Sequence, residues 1–264
     1  MKEFATKEEL FRHLKENKDI LIMEKKSAMK CADSVMCSYG SEGYMVTKSE
    51  TSDDDSIHAK VVINTTGLFD SHRDVHIPGL WNKTLKEQRK TKHLQEHTMK
   101  FDHVISDKVT PSVKNMAWSD LGFSYEGKTQ ALIFDSQIEP TRNPFMYKQY
   151  LNGYVDQHSV GMQYVSLFLC INDKDAYYKE EKDNWDKYIE YVANRKDVDE
   201  AGYFWAVTEA KLIEGSAVVF GSNYATPTLS IKSPQEPPEG TQKDSRTGTI
   251  DKEEFRSFIH SNLF

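Results

Sequence analysis

Residues 154–172 read YVDQHSVGMQYVSLFLCIN, a long apolar run in which the polar side chains stand near the beginning. Its β-branched and aromatic residues predict a buried strand. A second run, YFWAVTEAKLIEGSAVVF at residues 203–220, has the same character. The first strand begins with His158, Ser159 and Gly161, which are unusual residues at the entrance of a buried strand. These two runs form the centre of the predicted fold.

Shorter segments on either side predict a β-rich core with helices around it. Runs rich in apolar and β-branched residues predict strands at residues 19–24, 58–64, 105–109, 118–125 and 130–138. The sequence TKEE at residues 6–9 has the spacing of a capping box, and the apolar residues after it predict a helix over 7–17. Further helices are predicted from Pro78 through Leu85, from Asn143 to Gly153, and within the densely charged segment 173–200.

The length and the changes in composition predict one core with appendages. A chain of 264 residues corresponds to one large domain, or to a core of about 200 residues with additional segments. We predict an N-terminal extension of helix and strand over 1–56, which ends in an acidic surface loop, and a core over 57–231 that carries the helical insertion 173–200. Residues 232–264 are predicted to form a flexible linker, 232–249, and an amphipathic helical tail that binds a partner.

Composition excludes several classes of function. Lys and Arg number 34 against 41 Asp and Glu, a net charge of −7, whereas a general nucleic-acid binder needs a cationic surface. The three cysteines form no C-x-x-C pair, which predicts free thiols in a reducing compartment. The N-terminus is charged and no run of about 18 apolar residues occurs, so neither secretion nor a membrane-spanning helix is expected. One group of basic side chains is either a solvated helix face or a docking patch for an acidic partner: Lys83, Lys86, Arg89, Lys90 and Lys92.

Three separated residues are candidates for nucleophilic catalysis, which needs a hydroxyl or thiol, a base within hydrogen-bond reach and an acid that orients the base. Ser159 is the candidate nucleophile, because Gly161 allows a substrate to approach the backbone closely. His97 is the candidate base, since it ends an apolar run before a turn and an imidazole titrates near neutral pH. Glu214 is a carboxylate within an apolar strand, where it either lies at an exposed edge or orients a histidine.

A metal site is the competing hypothesis for the same region. His93 and His97 are four residues apart and His103 follows, so that a metal-dependent hydrolase would use His93, His97 and Asp102. Catalytic zinc usually has three protein ligands. The segment contains no H-E-x-x-H motif and no cysteine, and the basic run at 89–92 repels a cation. We therefore expect no metal and no cofactor.

Three blocks of sequence, taken in order, resemble the caudoviral prohead serine proteases, the family of phage capsid-maturation proteases. The resemblance spans roughly Val61 to Thr228. The first block is INTTGLFDSHRDVHIPGLWNKTL followed by HLQEHTMKFDHVISDKV, which is similar to the family's strand, loop and catalytic-histidine strand. The second block, GYVDQHSVGMQYV, is similar to its Ser-x-Gly strand, and the third, VTEAKLIEGSAVVFGSNYATPT, to its late strand with a glutamate.

The resemblance implies an α+β fold like that of herpesvirus assemblin. That fold is a mostly antiparallel β-barrel surrounded by helices, here with a helical insertion and a tethered C-terminal helix. The implied activity is that of a serine endopeptidase in which Ser159 attacks the scissile carbonyl and His97 transfers the proton. Glu214 would orient the imidazole and stabilise the imidazolium. His103 is the second choice for the base.

The resemblance also implies a role in capsid maturation. The substrates would be the major capsid protein, the scaffold protein and the enzyme itself, with self-cleavage in the linker 232–249. The implied location is inside the phage prohead in the host cytoplasm, with no nucleic-acid or membrane partner, and homo-oligomer formation stays open. The alternative class is a non-enzymatic β-barrel capsid-assembly or structural protein on the same scaffold, in which Ser159 and His97 are not aligned.

Overall fold

The computed structural model describes residues 4–27, 55–87 and 89–232 of the chain. The chain divides into two units, Met1–Pro234 and Gln235–Phe264, and the described residues all belong to the first. The predicted linker, beyond its first residue, and the predicted helical tail lie outside the described residues, as does most of the predicted acidic loop. None of the described helices is long and apolar enough to cross a membrane.

The described residues form nine strands and six α-helices. The strands are β1 (Ile57–Thr65), β2 (Asp74–His76), β3 (His93–Gln95), β4 (Val104–Ser106), β5 (Lys108–Ala117), β6 (Lys128–Ile138), β7 (His158–Ile171), β8 (Tyr203–Ala217) and β9 (Thr228–Lys232). The helices are α1 (Lys7–Glu16), α2 (Lys18–Ser27), α3 (Asn82–Lys86), α4 (Pro144–Leu151), α5 (Lys179–Tyr188) and α6 (Arg195–Ala201).

The strands form two sheets. The first is antiparallel and has the order β5-β6-β1-β9. The second is mixed and is built around β8, which pairs along one edge with antiparallel β7 and along the other with the short parallel strands β2 and β3. Strand β4 continues this sheet beyond β3. The arrangement confirms the α+β class, and no closed barrel forms among the described strands.

The main hydrophobic core joins the two sheets. Alternate residues of β1 and of β7 belong to one buried cluster, which contains Ile57, Ala59, Val61, Ile63, Val160, Met162 and Tyr164. Alternation places these residues on a single face of each strand, so both sheets turn an apolar face to the same core. Helix α1 adds Phe11 and Leu14 to this core. A second cluster packs Trp185 and Tyr188 of α5 against Phe204 of β8.

Several predicted elements are confirmed. Helix α1 begins after Thr6, whose Oγ1 accepts a hydrogen bond from the Glu9 amide at 3.2 Å. Helix α4 begins after Asn143, whose Oδ1 accepts from the Met146 amide at 3.0 Å. The strands predicted at 58–64 and 130–138 correspond to β1 and β6, and the charged segment after β7 contains the helices α5 and α6.

The strand predicted at residues 19–24 is wrong, because these residues lie in α2. A short apolar run does not by itself distinguish a strand from a helix. Ion pairs hold the helix at both ends: Lys18 pairs with Glu181 at 3.0 Å, and Lys25 pairs with Asp74.

The strand predicted at residues 118–125 is also wrong. Residues Trp118–Leu121 form a 3-10 turn, which ends at Gly122 in the left-handed conformation with φ 83°. The strand lies earlier, as β5, and the predicted segment 105–109 is divided between β4 and β5. Strand β5 escapes prediction because Pro111 interrupts its alternating pattern and only one of its residues is buried. The helix predicted from Pro78 is the short α3.

Candidate active site

Strands β7 and β8 bring two serines, a glycine and a glutamate to one face of the second sheet. Ser159 lies opposite Ser216, and Gly161 lies opposite Glu214. Opposite residues of antiparallel strands have Cβ atoms about 4.5–5.5 Å apart, and residues two apart share a face. Ser159 therefore lies beside Ser216 and diagonal to Glu214, although the helical insertion separates Ser159 and Glu214 in the sequence.

His97 reaches the same face from a turn at the end of β3. Glu96 and His97 both adopt left-handed backbone conformations, with φ of 52° and 55°, which are uncommon for residues other than glycine. The Glu96 amide donates to the Ala217 carbonyl oxygen at 2.9 Å, and the His97 amide donates to Ser216 Oγ at 3.1 Å. These bonds fix the turn to the end of β8, so the imidazole lies against Glu214.

The His97 imidazole and the Glu214 carboxylate form a buried pair. Glu214 Oε1 lies 2.6 Å from His97 Nδ1, and Glu214 is 2 % exposed. Because an ionised carboxylate only accepts hydrogen bonds, Nδ1 is the donor, and Nε2 of the neutral imidazole then carries the lone pair. A general base needs this tautomer. Glu214 therefore does not lie at an exposed edge but orients a histidine.

The other imidazole nitrogen, His97 Nε2, is buried and has no hydrogen-bond partner among the described residues. Ser159 does not hydrogen-bond to it, although Ser159 is buried and lies on β7, which pairs with β8. A buried acceptor without a partner costs about 1–3 kcal/mol, so the site favours a group that donates to Nε2. Catalytic hydrogen bonds are often long without substrate and shorten when it binds.

Gly161 leaves the space that the Glu214 side chain occupies. A Cβ atom at this position would lie 2.7 Å from the Glu214 carboxyl carbon and would overlap Oε1. From the sequence, Gly161 was expected to allow the close approach of a substrate. The close approach in the structure is instead that of the carboxylate, so the glycine serves the acid of the site.

Ser216 belongs to the site and is the residue that sequence reasoning misses. Its hydroxyl donates to Glu214 Oε2 at 2.6 Å and accepts from the His97 amide. One serine thereby fixes both the carboxylate and the turn that carries the histidine. The signal is the spacing of two residues between Glu214 and Ser216, which places both side chains on one face of a strand.

His93, His103 and Asp102 do not join this site. His93 is fully buried and bonds to Ser136 at 3.1 Å and to Tyr150 at 3.0 Å. His103 bonds to Asp102 at 2.9 Å near the surface, so it does not take the place of His97. Across residues 4–27, 55–87 and 89–232, no three His, Cys, Asp or Glu side chains lie close enough together to hold a metal ion.

A pocket lined by apolar and polar side chains lies beside Ser159. Its empty volume is about 360 Å³, part of which is open to solvent, and its lining includes Asn64, Asp70, His72, His76, Ser159 and Tyr164. Asn64 Oδ1 is buried without a hydrogen-bond partner among the described residues. Sequence reasoning assigned no role to the loop at 70–76, although Asp and His alternate at every second position from 70 to 76.

Burial changes the protonation of the groups around this pocket. Burial, with a further contribution from neighbouring Asp74, raises the pKa of Asp70 to about 8. Burial lowers the pKa of His76 to about 4. Tyr164 donates to Asp74 Oδ2 at 2.8 Å, and Lys25 pairs with the other oxygen of Asp74. At neutral pH the pocket therefore contains a protonated Asp70 and a neutral His76.

No family model, no curated protein and no solved structure matches this chain. The function of the site is therefore inferred from its own geometry.

Proposed function

We propose that this chain is a serine endopeptidase in which Ser159 is the nucleophile, His97 the general base and Glu214 the acid that orients the base. The proposal rests on one observation, the 2.6 Å contact between Glu214 Oε1 and His97 Nδ1 on the face that also holds Ser159. Acyl transfer by a serine needs this combination of a hydroxyl, an imidazole with a free nitrogen and a carboxylate behind it.

In the proposed reaction, Ser159 Oγ attacks the carbonyl carbon of the scissile peptide bond, and its proton moves to His97 Nε2. The resulting imidazolium is stabilised by Glu214, which stays ionised. The imidazolium then gives its proton to the leaving nitrogen as the carbon–nitrogen bond breaks, which leaves an acyl group on Ser159. Water gives a proton to His97 as its oxygen attacks this ester. The bond to Ser159 Oγ then breaks, His97 returns the proton to that oxygen, and the carboxylic acid product leaves. Each transfer uses the nitrogen that lacks a partner among the described residues.

Within this class we assign the chain a role in capsid maturation. This assignment is supported by the order of the three sequence blocks, which place Ser159, His97 and Glu214 in the positions of the prohead protease triad. The proposed substrates are the scaffold protein, the major capsid protein and the chain itself, inside the prohead. The same proposal includes an assemblin-like fold, in which the two sheets correspond to an opened form of the assemblin barrel.

A second candidate function is a non-enzymatic assembly or structural protein. The absence of a hydrogen bond between Ser159 and His97 Nε2 favours it, because an assembled triad would include that bond. The two candidates differ in the reactivity of the Ser159 hydroxyl. An activated serine is reactive, whereas an ordinary serine is not.

The reactivity of Ser159 tests the proposal directly. We expect a fluorophosphonate probe to label the wild-type protein at Ser159, as located by peptide mass spectrometry, and to leave Ser159→Ala and His97→Ala unlabelled. Ser166→Ala is the matched control, since Ser166 lies on the same strand and has a hydroxyl bonded to Thr208 at 3.1 Å. Failure of the folded wild-type protein to react would favour the structural protein.

Intact masses test the proposed substrates. The wild type and Ser159→Ala are each co-expressed with the major capsid and scaffold proteins that the proposal names as substrates. The wild type is expected to trim these partners or itself, whereas the variant leaves every mass unchanged. Cleavage in both samples would show that Ser159 is not the nucleophile.

A further inference from the structure

Large apolar side chains are exposed on the segments that surround the proposed site. Eleven such side chains are exposed among the described residues, and five of them lie on three segments that hydrogen bonds join to the chain around His97 and Ser159. We call these five the apolar rim: Met99, Phe101, Phe145, Val219 and Phe220. Phe101 is 90 % exposed and Val219 is 67 % exposed. Clusters of exposed apolar residues on a protein surface mark sites of interaction.

Hydrogen bonds hold the first two segments together. Met99 and Phe101 lie in the chain that follows His97. The Phe101 carbonyl oxygen accepts from Arg142 Nη1 at 2.8 Å. Helix α4, with Phe145 in its first turn, begins directly after Arg142 and Asn143. The chain after His97 and the start of α4 therefore form one continuous surface.

The third segment meets the site from the end of β8. The Ala217 carbonyl oxygen accepts from the Glu96 amide, next to His97, at 2.9 Å. The Val218 amide donates to the Gln157 carbonyl oxygen at 3.1 Å, two residues before Ser159. The exposed side chains of Val219 and Phe220 follow at once. All three segments are thus bonded to residues that lie within a few positions of His97 or Ser159.

The proposed chemistry identifies the partner of this surface. A peptide bond that reaches Ser159 brings the residues on either side of it across the surrounding segments. An extended chain advances about 3.3 Å per residue, so these segments meet residues within about three positions of the scissile bond. Each large apolar side chain removed from water stabilises a complex in proportion to the area buried. A polar or charged substrate segment would leave the rim exposed.

We propose that the apolar rim binds large apolar side chains of the substrate polypeptide within three residues of the scissile bond. This inference rests on the proposed endopeptidase function, of which it names the substrate class. It assigns specificity to apolar contacts on the loop after His97, on α4 and on the segment after β8.

The cleavage profile is the first test. The wild type digests a library of mixed peptides, and mass spectrometry identifies the cut sites. We expect Phe, Leu, Ile and Met to be enriched within three residues of the cut. A profile without this enrichment overturns the inference. The proposed function stands in that case, because the peptides are cut.

Variants of the rim provide the second test. Phe101→Ser combined with Phe145→Ser should lower kcat/KM for an apolar peptide at least tenfold, mainly through KM. The rate at which diisopropyl fluorophosphate modifies Ser159 should stay within twofold, because this small reagent does not reach the rim. Met23→Ser is the control, since Met23 lies on α2 and its exposure, 65 %, is close to the 60 % of Phe145. An equal loss in the control, or no loss in the double variant, overturns the inference.

A binding measurement separates the inference from the activity. Ser159→Ala should bind a fluorescein-labelled decapeptide with three phenylalanines more tightly than the same peptide with three serines, as read by anisotropy. Adding the two rim substitutions should remove the difference. If the wild type does not react with the fluorophosphate, the proposed function fails. If the two peptides bind alike, or if the rim substitutions only dissociate a dimer of the chain, the inference fails.

Discussion

The Ser216 hydroxyl makes two hydrogen bonds that fix the proposed catalytic pair. It donates to Glu214 and accepts from the amide of His97. Ser216 does not itself touch the substrate in this scheme, so it is a positioning residue. It orients the Glu214 carboxylate and fixes the left-handed turn that carries the His97 imidazole.

We expect Ser216→Ala to slow the inactivation of the protein by a fluorophosphonate about 10–100-fold. The lost hydrogen bond is to a charged group, which contributes about 1.5–3 kcal/mol. Ser216→Thr keeps a hydroxyl and should restore most of the rate, and Ser166→Ala should leave it unchanged. Inactivation rates measured from pH 5 to pH 9 that coincide for Ser216→Ala and the wild type would contradict the positioning role.

The contact between Gly161 and Glu214 gives a second prediction for single residues. Gly161→Ala places a methyl group where the carboxylate lies. We expect the substitution to displace Glu214, to lower the free energy of unfolding by about 1–3 kcal/mol and to slow fluorophosphonate inactivation more than about 100-fold. Urea unfolding and inactivation kinetics measure the two effects.

A double variant separates the clash from other effects of the methyl group. In the background of Glu214→Ala no carboxylate remains to be displaced, so Gly161→Ala should then cost little stability. Inactivation should remain slow, since the acid is missing. A stability loss that is the same with and without the carboxylate would show that the clash is not its cause.

Among the elements, the long strands could be predicted and the short ones could not. Strands β7 and β8 are visible as apolar runs, because both of their faces are mostly buried. Strands β2, β3 and β4 have three residues each, which is too short for any periodicity. They acquire their conformation from pairing with longer strands. Helix α2 was predicted as a strand because its ion-pair partners lie far away in the sequence.

A chain of buried hydrogen bonds joins β3, α4 and β7. His158 Nδ1 lies 2.9 Å from the Thr226 carbonyl oxygen, which only accepts, so Nδ1 donates. Burial lowers the pKa of His158 and of His93, so both imidazoles are neutral. His158 Nε2 therefore accepts from the Tyr150 hydroxyl at 2.9 Å. Tyr150 in turn accepts from His93 Nε2, and His93 Nδ1 accepts from Ser136.

Tyr150→Phe breaks this chain in the middle. His93 loses an acceptor and His158 loses a donor in a site that water does not reach. We expect the free energy of unfolding to fall by about 2–4 kcal/mol. Tyr154→Phe, on a side chain that is 70 % exposed, is the matched control and should change it by less than about 0.5 kcal/mol. Equal midpoints of urea unfolding for the two variants would refute the structural role of the Tyr150 hydroxyl.

At the scale of the whole molecule, buried titratable groups set the dependence of stability on pH. Burial lowers the pKa of His76 and His158 to about 4 and lowers that of His93. Such a histidine contributes stability above its unfolded pKa of about 6.5, and this is lost as the pH falls through the folded pKa. The pKa of Asp70 is raised to about 8, so its protonated form stabilises the folded chain at low pH. This contribution is lost as the pH rises from about 4 to 8.

We therefore expect stability to be greatest near pH 6.5. Below that pH the unfolded chain binds a proton on each of His76, His93 and His158, whereas the folded chain binds one on Asp70. The difference of two protons lowers stability by roughly 3 kcal/mol per pH unit. Above it Asp70 loses its proton in the folded chain, and this lowers stability by about 1.4 kcal/mol per unit toward pH 8. Urea unfolding at pH 5, 6.5 and 8 measures this curve.

Two substitutions test whether Asp70 causes the decline in stability above pH 6.5. Asp70→Asn keeps the oxygen that accepts from the amides of His72 and Asp74, and it should remove the decline above pH 6.5. Ser71→Ala, at the exposed neighbouring position and without a titratable group, is the control and should leave the shape of the curve unchanged. A wild-type curve that rises steadily from pH 6.5 to pH 8 would contradict the assignment to Asp70.

The composition of the site was more predictable than its geometry. Ser159, His97 and Glu214 were identified as candidates from residue type, local pattern and the order of three blocks. The left-handed turn at Glu96 and His97 carries little sequence signal, because Glu rarely adopts this conformation and His, although enriched in it, mostly adopts others. The role of Ser216 depends on which residues β7 and β8 place opposite each other, and a single sequence does not specify that register.

The central position of β8 also governs when the site forms during synthesis. His97 and Ser159 leave the ribosome before β8, and both depend on bonds to it: the turn at His97 bonds to Ala217 and Ser216, and β7 pairs with β8 along its length. Domains fold as their sequence becomes available, from the N-terminus onward. In a nascent chain that stops before residue 217, β8 is not yet present to hold Ser159 and His97 beside Glu214. Under the proposed function, activity would therefore begin only after β8 has been inserted between its neighbours.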